Sequence, residues 1–267
     1  MGTSRRTLAD RLAPLPVRRV ERRRPLDPDG REDLAGLGYL AEGEWPLTLA
    51  PIAQLLRDGL DLGAATVLVG ANGSGKSTIV EAIAMAFGLA PEGGSTGAQH
   101  RTYESESILH RELTLVRGAG GSRWGYFVRG ETLHGLVGYL DETARDPLSR
   151  TTDPVFARLS HGETFLALLA STRFRGPGFF VMDEPEAGLA FEAQLALLGE
   201  LTALSRRRGC QVLVATHSPI VAALPGATIL QLDADGLRPK AWSDLATVEH
   251  YRRFLAAPQQ YLRHVTD

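Results

Sequence analysis

Residues 66–78 read TVLVGANGSGKST, and this stretch decides the fold. Its first four residues favour a strand, the next nine fill the pattern G-x-x-x-x-G-K-[ST], and a helix-forming run over 79–87 follows. Glycines in this pattern let successive backbone N–H groups point inward, and the helix that follows adds the positive end of its dipole. The stretch therefore predicts a strand, a phosphate-binding loop and a helix. The predicted phosphate ligands are Gly70, Ala71, Asn72, Gly73, Ser74, Gly75, Lys76, Ser77 and Thr78.

Two side chains of the loop predict the kind of phosphate ligand. Lys76 is one of only two lysines among the 29 basic residues of the chain, the other being Lys240. A compact ammonium fits the terminal phosphates of a nucleotide where a planar guanidinium would not. Ser77 follows it and offers a hydroxyl to a metal ion. We therefore expect a nucleoside triphosphate bound together with Mg2+.

Composition favours a soluble protein of one or two domains. The chain has 267 residues, of which 43% are hydrophobic and 22% charged. Its single cysteine, Cys210, cannot form an internal disulfide, which is typical of a reducing compartment. Apolar runs stay well short of the roughly 20 residues that a membrane-spanning helix needs. We expect a cytoplasmic protein with no direct membrane insertion.

Charge is distributed unevenly along the chain. Residues 1–31 hold nine arginines and four acids, a net charge of +5, so the remainder carries −7 of the total of −2. Four prolines in the same stretch favour an irregular, solvated arm, which we predict over 1–38. Contact with nucleic-acid phosphates is the alternative role for this arm. A main domain is predicted over 39–240 and a helical segment over 241–267.

The order of the remaining elements predicts an α/β fold. Two alternating segments, 112–117 and 124–129, flank a glycine-rich stretch and are interpreted as a β-hairpin. Residues from about 39 to 62, which include the short run over 47–49, are interpreted as an opening edge strand and a connector into the core. The second half of the chain alternates strands with helices, which indicates a mostly parallel sheet with covered faces. Its strands are expected at 179–182, 211–215 and 228–232.

Three polar side chains follow two of these strands. Asp183 and Glu184 end the apolar run that begins at Gly178, and His217 follows the strand over 211–215. Ligands of open α/β sheets collect at the carboxyl ends of the strands, so all three are expected beside the phosphate loop. Asp183 suits Mg2+, directly or through water, and Glu184 suits a general base that activates water. His217 is expected to contact a γ-phosphate and to orient Glu184.

Residues 159–163, Leu-Ser-His-Gly-Glu, predict a second anion-binding helix N-terminus. Ser160 starts the helix, Gly162 lies two positions further on, and a long apolar stretch follows. One chain does not need two cradles for a single γ-phosphate, so this one is interpreted as serving the nucleotide of another subunit. The alternative is a capping serine on an ordinary amphipathic helix.

These four motifs, in this order, resemble those of ABC-type ATPases, specifically the small soluble bacterial ones often catalogued as AAA-family ATPases and related to the SMC and RecF heads. The resemblance covers roughly residues 45–235. It implies a P-loop fold with a mostly parallel sheet, an antiparallel β subdomain and a helical signature region. It also implies that ATP is hydrolysed to ADP and phosphate with Mg2+. Ser160 and Gly162 would then contact ATP held by the phosphate loop of a second copy, giving a homodimer.

The chain departs from the transporter ATPases at several positions. His161 and Glu163 replace the usual Gly and Gln of the signature, and residues 186–190 lack the usual aspartate after the catalytic strand. Gln99 is the candidate for the glutamine loop. The aromatic residue that stacks on adenine is unassigned, with Trp45 and Tyr39 as candidates and core packing as the alternative for each.

The biological process stays open at this point. A nucleic-acid-linked ATPase in repair or defence would use the arginine-rich arm. A transporter subunit would need a membrane partner. A regulatory switch would present the expected hairpin to a protein partner of unknown identity. A nucleotide kinase is the least favoured reading, because adjacent Asp183 and Glu184 with Ser160 and His217 suit hydrolysis better than transfer to an acceptor.

Overall fold

The computed structural model describes residues 14–23, 40, 43–96, 108–144 and 153–263. Within these ranges the chain forms ten strands and seven α-helices. The strands are β1 (Arg19–Arg22), β2 (Leu60–Asp61), β3 (Ala65–Gly70), β4 (Gly94–Ser95), β5 (Leu113–Val116), β6 (Gly125–Arg129), β7 (Gly178–Asp183), β8 (Cys210–Thr216), β9 (Thr228–Asp233) and β10 (Gly236–Pro239). The helices are α1 (Ala50–Asp58), α2 (Lys76–Phe87), α3 (Leu133–Ala144), α4 (His161–Ala170), α5 (Phe191–Arg206), α6 (Ala246–Ala256) and α7 (Gln259–Leu262). Tyr39, Gln99 and most of the predicted arm lie outside the described residues.

The larger sheet has seven strands in the order β10-β9-β3-β8-β7-β6-β4. Its five central strands are parallel, and the two outer strands, β10 and β4, are antiparallel to their neighbours. Every residue of β3, β7 and β8 is buried, because helices cover both faces. The predicted α/β fold with a mostly parallel sheet is confirmed. Adjacent β3, β8 and β7 bring the ends of three predicted motifs to one edge.

The predicted hairpin over 112–129 is wrong. β5 pairs with β1 in a separate antiparallel sheet of order β2-β1-β5, whereas β6 runs parallel to β7 inside the larger sheet. The two strands differ in burial: β5 has one covered face, while the first four residues of β6 are all buried. A strand covered on both faces belongs in the interior of a sheet, so the continuous apolar run of β6 was the signal against a hairpin.

Part of the N-terminal segment is built into the core. Val17 and Val20 are fully buried, and β1 forms the central strand of the small sheet. The prediction of an irregular, solvated arm is therefore wrong for residues 17–22. The prediction considered only the charged residues and prolines, and it overlooked two valines whose side chains are buried between charged neighbours.

Within the stretch over 39–62, the edge strand is β2 at its end, and the apolar run over 47–49 forms no strand. These residues lie in turns that lead into α1, which the sequence analysis did not anticipate. Pro51 lies in the first turn of the helix, where its missing N–H costs no hydrogen bond. Ile52, Leu55 and Leu56 recur at helical spacing and are buried. The sequence of this stretch therefore contained a helical period that the strand interpretation overlooked.

Gln211 joins this N-terminal segment to the large sheet. The side chain is fully buried in β8. Its Oε1 accepts from Val17 N–H at 2.9 Å, and its Nε2 donates to Val17 O at 2.6 Å and Gly63 O at 2.9 Å. One amide thus satisfies both backbone groups of Val17, as buried polar groups require.

Replacing Gln211 by leucine is expected to lower the free energy of unfolding by about 2–4 kcal/mol, because it leaves several buried backbone groups without partners. Urea denaturation of both proteins measures the difference. Gln260→Leu, on exposed α7, is the matched control and should change stability by less than about 0.5 kcal/mol. Equal unfolding midpoints for Gln211→Leu and Gln260→Leu would contradict this role.

The two faces of the large sheet pack against different helices. Ile79, Val80 and Ile83 of α2 pack on one face, together with Leu68 of β3. Phe165 of α4 packs on the other face. Leu197 and Leu201 of α5 lie in that second core with Val67 and Val69. The helix that starts at the phosphate loop and the helix that starts at Ser160 are therefore separated by the sheet.

The C-terminal segment over 241–263 contains α6 and α7. Leu245 and Val248 are buried in the same core as α4 and α5, which anchors the start of α6. Over the described ranges, none of the helices combines the length and the apolar character that crossing a bilayer would take.

Candidate active site

The phosphate loop connects β3 to α2 and depends on glycines. Gly73 and Gly75 have φ angles of 76° and 93°, in the left-handed region that favours glycine. A Cβ on Gly70 would lie 2.6 Å from both Leu232 O and Ser74 Oγ, so only glycine fits at the end of β3. Ser74 Oγ is buried without a hydrogen-bond partner among the described residues. A loop with open backbone and an unsatisfied hydroxyl fits a phosphate ligand.

Lys76 is the first residue of α2 and is only 3% exposed. Its Nζ donates to Ala71 O at 3.1 Å and lies 2.9 Å from His217 Nε2. Burial lowers the pKa of Lys76, and the nearby carboxylates of Glu184, Asp183 and Glu186 oppose that shift. Burial of the ammonium is unfavourable unless a negative charge lies beside it, and a phosphate bound to the loop would supply that charge.

Ser77 and Asp183 form the candidate magnesium pair. Ser77 Oγ donates to Asp183 Oδ1 at 3.0 Å. Burial raises the pKa of Asp183 to about 6, and the Arg129 guanidinium and the Ser77 hydroxyl oppose the rise. No group of three or more His, Cys, Asp or Glu side chains is arranged as a metal site in the described part of the chain. Mg2+ takes few protein ligands and keeps water and phosphate oxygens, so this hydroxyl and carboxylate fit it.

Glu184 and His217 are in direct contact. His217 Nε2 lies 2.8 Å from Glu184 Oε1 and 2.9 Å from Lys76 Nζ. One ring nitrogen cannot accept from the lysine and donate to the carboxylate in the same tautomer, so the histidine serves one partner at a time. The Glu184 backbone has φ of 48°, the one positive value at a non-glycine residue across the described ranges, and its N–H donates to Ala215 O. The backbone thereby holds this carboxylate beside β8.

Glu186 was missed as a site residue by the sequence analysis. Its Oε1 accepts from Thr216 Oγ1 at 2.5 Å, His217 N at 2.7 Å and Ser218 N at 3.0 Å. The carboxylate therefore fixes the backbone that carries His217. The sequence showed only that an aspartate was absent from 186–190, and the contact depends on the turn after β7 folding back onto the end of β8.

Arg129 was also missed. It ends β6 opposite Asp183 in the strand register. Its Nη1 lies 2.7 Å from Glu81 Oε2, and its Nε lies 3.7 Å from Asp183 Oδ2, with the arginine side chain 20% exposed. A guanidinium therefore lies between two carboxylates next to the candidate magnesium pair. Only the pairing of β6 with β7 reveals it, and the hairpin interpretation concealed that pairing.

Arg129→Ala is expected to lower the free energy of unfolding by about 3 kcal/mol, because it leaves Glu81 and Asp183 poorly compensated. Arg238→Ala is the control, since that arginine is 47% exposed and pairs with Asp233 and Asp235 at the surface. Its loss should cost less than about 1 kcal/mol. Urea denaturation measures both, and an equal cost for the two variants would contradict the importance of burial at Arg129.

Ser160 and Gly162 lie at the start of α4. Ser160 Oγ accepts from Glu163 N–H at 3.4 Å, and Ser160 N–H donates to Glu163 Oε2 at 2.8 Å, which forms a capping box. The Ser160 hydroxyl also donates to Glu163 Oε2 at 2.6 Å. His161 Nε2 lies 2.9 Å from Ala187 O. Neither Ser160 nor Gly162 lines the cavity at the phosphate loop. The structure therefore brings together Lys76, Ser77, Asp183, Glu184 and His217, and leaves these two residues apart from them.

Comparison with known proteins gives matches over the same segments. The family model described as "AAA domain, putative AbiEii toxin, Type IV TA system" matches residues 65–126 and 155–223. The zinc import ATP-binding protein ZnuC of Chelativorans sp. (strain BNC1) is 32% identical over 186 residues, which is 66% of this chain and 62% of that protein. The match thus spans less than two thirds of that relative's length. An uncharacterized ABC transporter ATP-binding protein of Haemophilus influenzae is 25% identical over 220 residues, 75% of this chain and 82% of that protein.

Solved structures were matched as well. The SMC head domain from Thermotoga maritima is 20% identical, with a TM-score of 0.40 over 68% of this chain and 93% of that chain. The structure of cbiO1 from Clostridium perfringens, part of the ABC transporter complex cbiONQ, is 15% identical, with a TM-score of 0.43 over 94% of this chain and 98% of that chain. The order of the motifs and the geometry at the end of the sheet agree with the family model and the curated relatives: the chain has the fold and the motifs of the ABC-type P-loop ATPases, a class whose ligands are ATP and Mg2+.

Proposed function

We propose that the chain hydrolyses ATP to ADP and phosphate in the cytoplasm, at sites shared between two copies of itself. In this proposal Lys76 neutralises charge on the β- and γ-phosphates. Ser77 and Asp183 hold Mg2+, which when bound offsets charge on the phosphate oxygens. Glu184 accepts a proton from the attacking water, and His217 contacts the γ-phosphate and orients Glu184. The short contacts among these side chains support this division of roles.

The observation that carries the shared site is the placement of α2 and α4 on opposite faces of the sheet. Ser160 and Gly162 cannot reach the phosphate loop of the same chain unless α4 gives up its packing on the sheet. A second copy, turned to face the first, offers its α4 N-terminus to that loop instead. The helix dipole and the open N–H groups of α4 suit a γ-phosphate.

A mixing experiment tests the shared site. Ser160→Arg blocks the signature of one chain, and Lys76→Ala disables the phosphate loop of another, so each variant alone should be inactive. A mixed dimer contains one site built from an intact loop and an intact signature. The mixture is expected to recover up to about a quarter of wild-type phosphate release, since half of the dimers are mixed and half of their sites are intact. A mixture as inactive as its components, at a concentration where the wild type hydrolyses ATP, would overturn the proposal.

A transporter ATP-binding subunit is the second candidate, because curated relatives carry that description. Under this proposal the chain pairs with a membrane protein through a surface of its own. The test is to purify the tagged chain from detergent extracts. A membrane protein that co-purifies with the chain, and dissociates from it in high salt, would support this candidate.

A nucleic-acid-linked role has less support in the described residues. Arg19 pairs with Glu21 and Asp61, and Arg22 pairs with Glu112, so these two arginines of the N-terminal segment are engaged within the chain. The regulatory-switch proposal loses the hairpin on which it depended.

A further inference from the structure

The cavity at the phosphate loop is larger than the space that phosphates bound to the loop would fill. It has a volume of about 850 Å³, within the range of small-molecule sites. His217 and residues 70–74 line one part of it. The turn between β9 and β10 and the first turns of α6 line another part. A phosphate chain on the loop therefore leaves a connected space beside α6 for the rest of a ligand.

One face of α6 forms the wall of that space. Ala246, Thr247, His250 and Tyr251 line the cavity, and their spacing of one, four and five residues places them on one side of a helix. The buried Leu245 and Val248 fix this part of the chain against the core. Tyr251 lines the cavity and is 54% exposed, so its side chain is free to pack against a ligand.

Contacts within the C-terminal segment hold this wall in place. Ala246 N–H donates to Gln231 Oε1 at 3.1 Å, which ties the start of α6 to β9. His250 Nδ1 lies 3.0 Å from Tyr261 Oη, which ties α6 to α7. Tyr251 is therefore carried on a helix that is held by contacts at Ala246 and at His250.

The chemistry of the cavity changes from one part to the other. The phosphate loop suits an anion, whereas Leu49, Pro51 and Leu232 give the remaining wall an apolar character. A ligand that is anionic at one end and flat and apolar at the other fits both, and a nucleoside triphosphate has that form. Trp45, the described candidate for stacking on the base, does not line the cavity.

We propose that the part of the cavity beside α6 binds the base and ribose of the nucleotide, with Tyr251 stacking on the base. The proposal rests on the proposed function, since the phosphates must lie on the loop for the base to reach α6. The C-terminal segment then completes the nucleotide site of its own chain.

The test is titration calorimetry with Mg2+-ATP and with Mg2+-tripolyphosphate, which has no base. Tyr251→Ala is expected to weaken ATP binding about tenfold to a hundredfold, the range for loss of one aromatic stacking contact, and to leave tripolyphosphate binding unchanged. Tyr251→Phe keeps the ring and should bind ATP as the wild type does. Leu255→Ala, on the same helix, 77% exposed and outside the cavity, is the matched control and should leave both ligands unaffected.

Unchanged ATP affinity in Tyr251→Ala, or equal weakening of both ligands, would overturn the inference. Binding of either ligand to Lys76→Ala at the wild-type affinity would instead overturn the proposed function, so the two failures are distinct. If circular dichroism shows that Tyr251→Ala is unfolded, Ala246→Trp replaces it, because an indole there fills the same space. That variant should no longer bind ATP but should bind tripolyphosphate as the wild type does. ATP binding at the wild-type affinity would refute the site.

Discussion

Glu184→Gln lowers ATP turnover by about 10² to 10⁴-fold, the usual contribution of a general base, while ATP-bound chains accumulate as dimers: this is the result we expect. The amide has nearly the shape of the carboxylate but cannot accept the proton of the attacking water. Binding by Lys76 and Ser77 is untouched, so ATP stays in place. An interface that opens only after hydrolysis then remains closed.

Phosphate release measures the first effect, and light scattering with and without ATP measures the second. Glu200→Gln, an exposed glutamate in α5, is the control and should match the wild type in both measurements. A Glu184→Gln protein that binds ATP and stays monomeric would contradict the shared site. One that keeps more than a tenth of wild-type turnover would remove Glu184 from the role of base.

Lys76→Ala is expected to reduce ATP affinity by about two orders of magnitude or more. The ammonium is buried at the start of α2, within 3.1 Å of Ala71 O and 2.9 Å of His217. Removing one partner of a buried charge pair costs about 2–5 kcal/mol, and each 1.4 kcal/mol is a factor of ten in affinity. Equilibrium dialysis with Mg2+-ATP measures the loss.

The chain offers a natural control for this variant. Lys240 is the other lysine, and it is exposed at the end of β10. Lys240→Ala removes the same charge from the protein and should leave ATP affinity unchanged. An equal loss of ATP affinity in the two variants would show that net charge, and not the position of the ammonium, determines binding. Circular dichroism checks that both variants are folded.

The motifs and the sheet were predictable because their signals are local. A phosphate loop requires a strand before it and a helix after it, and the apolar runs over 179–182 and 211–215 needed no partner to be recognised as buried strands. Parallel strands share an edge for their carboxyl ends, so Asp183 and His217 could be expected near the loop without knowledge of the strand order.

What the sequence did not reveal depends on contacts between distant segments. The place of Arg129 beside Asp183 follows from the pairing of β6 with β7, 54 residues away, and the short segment 118–121 favoured a local hairpin instead. The burial of Val17 depends on Gln211, 194 residues further along. Glu186 holds the backbone at His217 only because the turn after β7 folds onto β8. Charge counts and periodicity do not report on such pairings.

The left-handed backbone at Glu184 lowers the stability of the fold at a residue that the proposed ATP hydrolysis needs. A non-glycine residue in that conformation costs about 1 kcal/mol or more, and a glycine at the same position would avoid most of that cost. Under the proposed role of Glu184 as general base, the strain is retained because the carboxylate is needed where the strand ends. Under that same proposal, laboratory selection for heat resistance alone would favour glycine at this position and yield a more stable protein that no longer hydrolyses ATP, so such a selection has to include an activity screen.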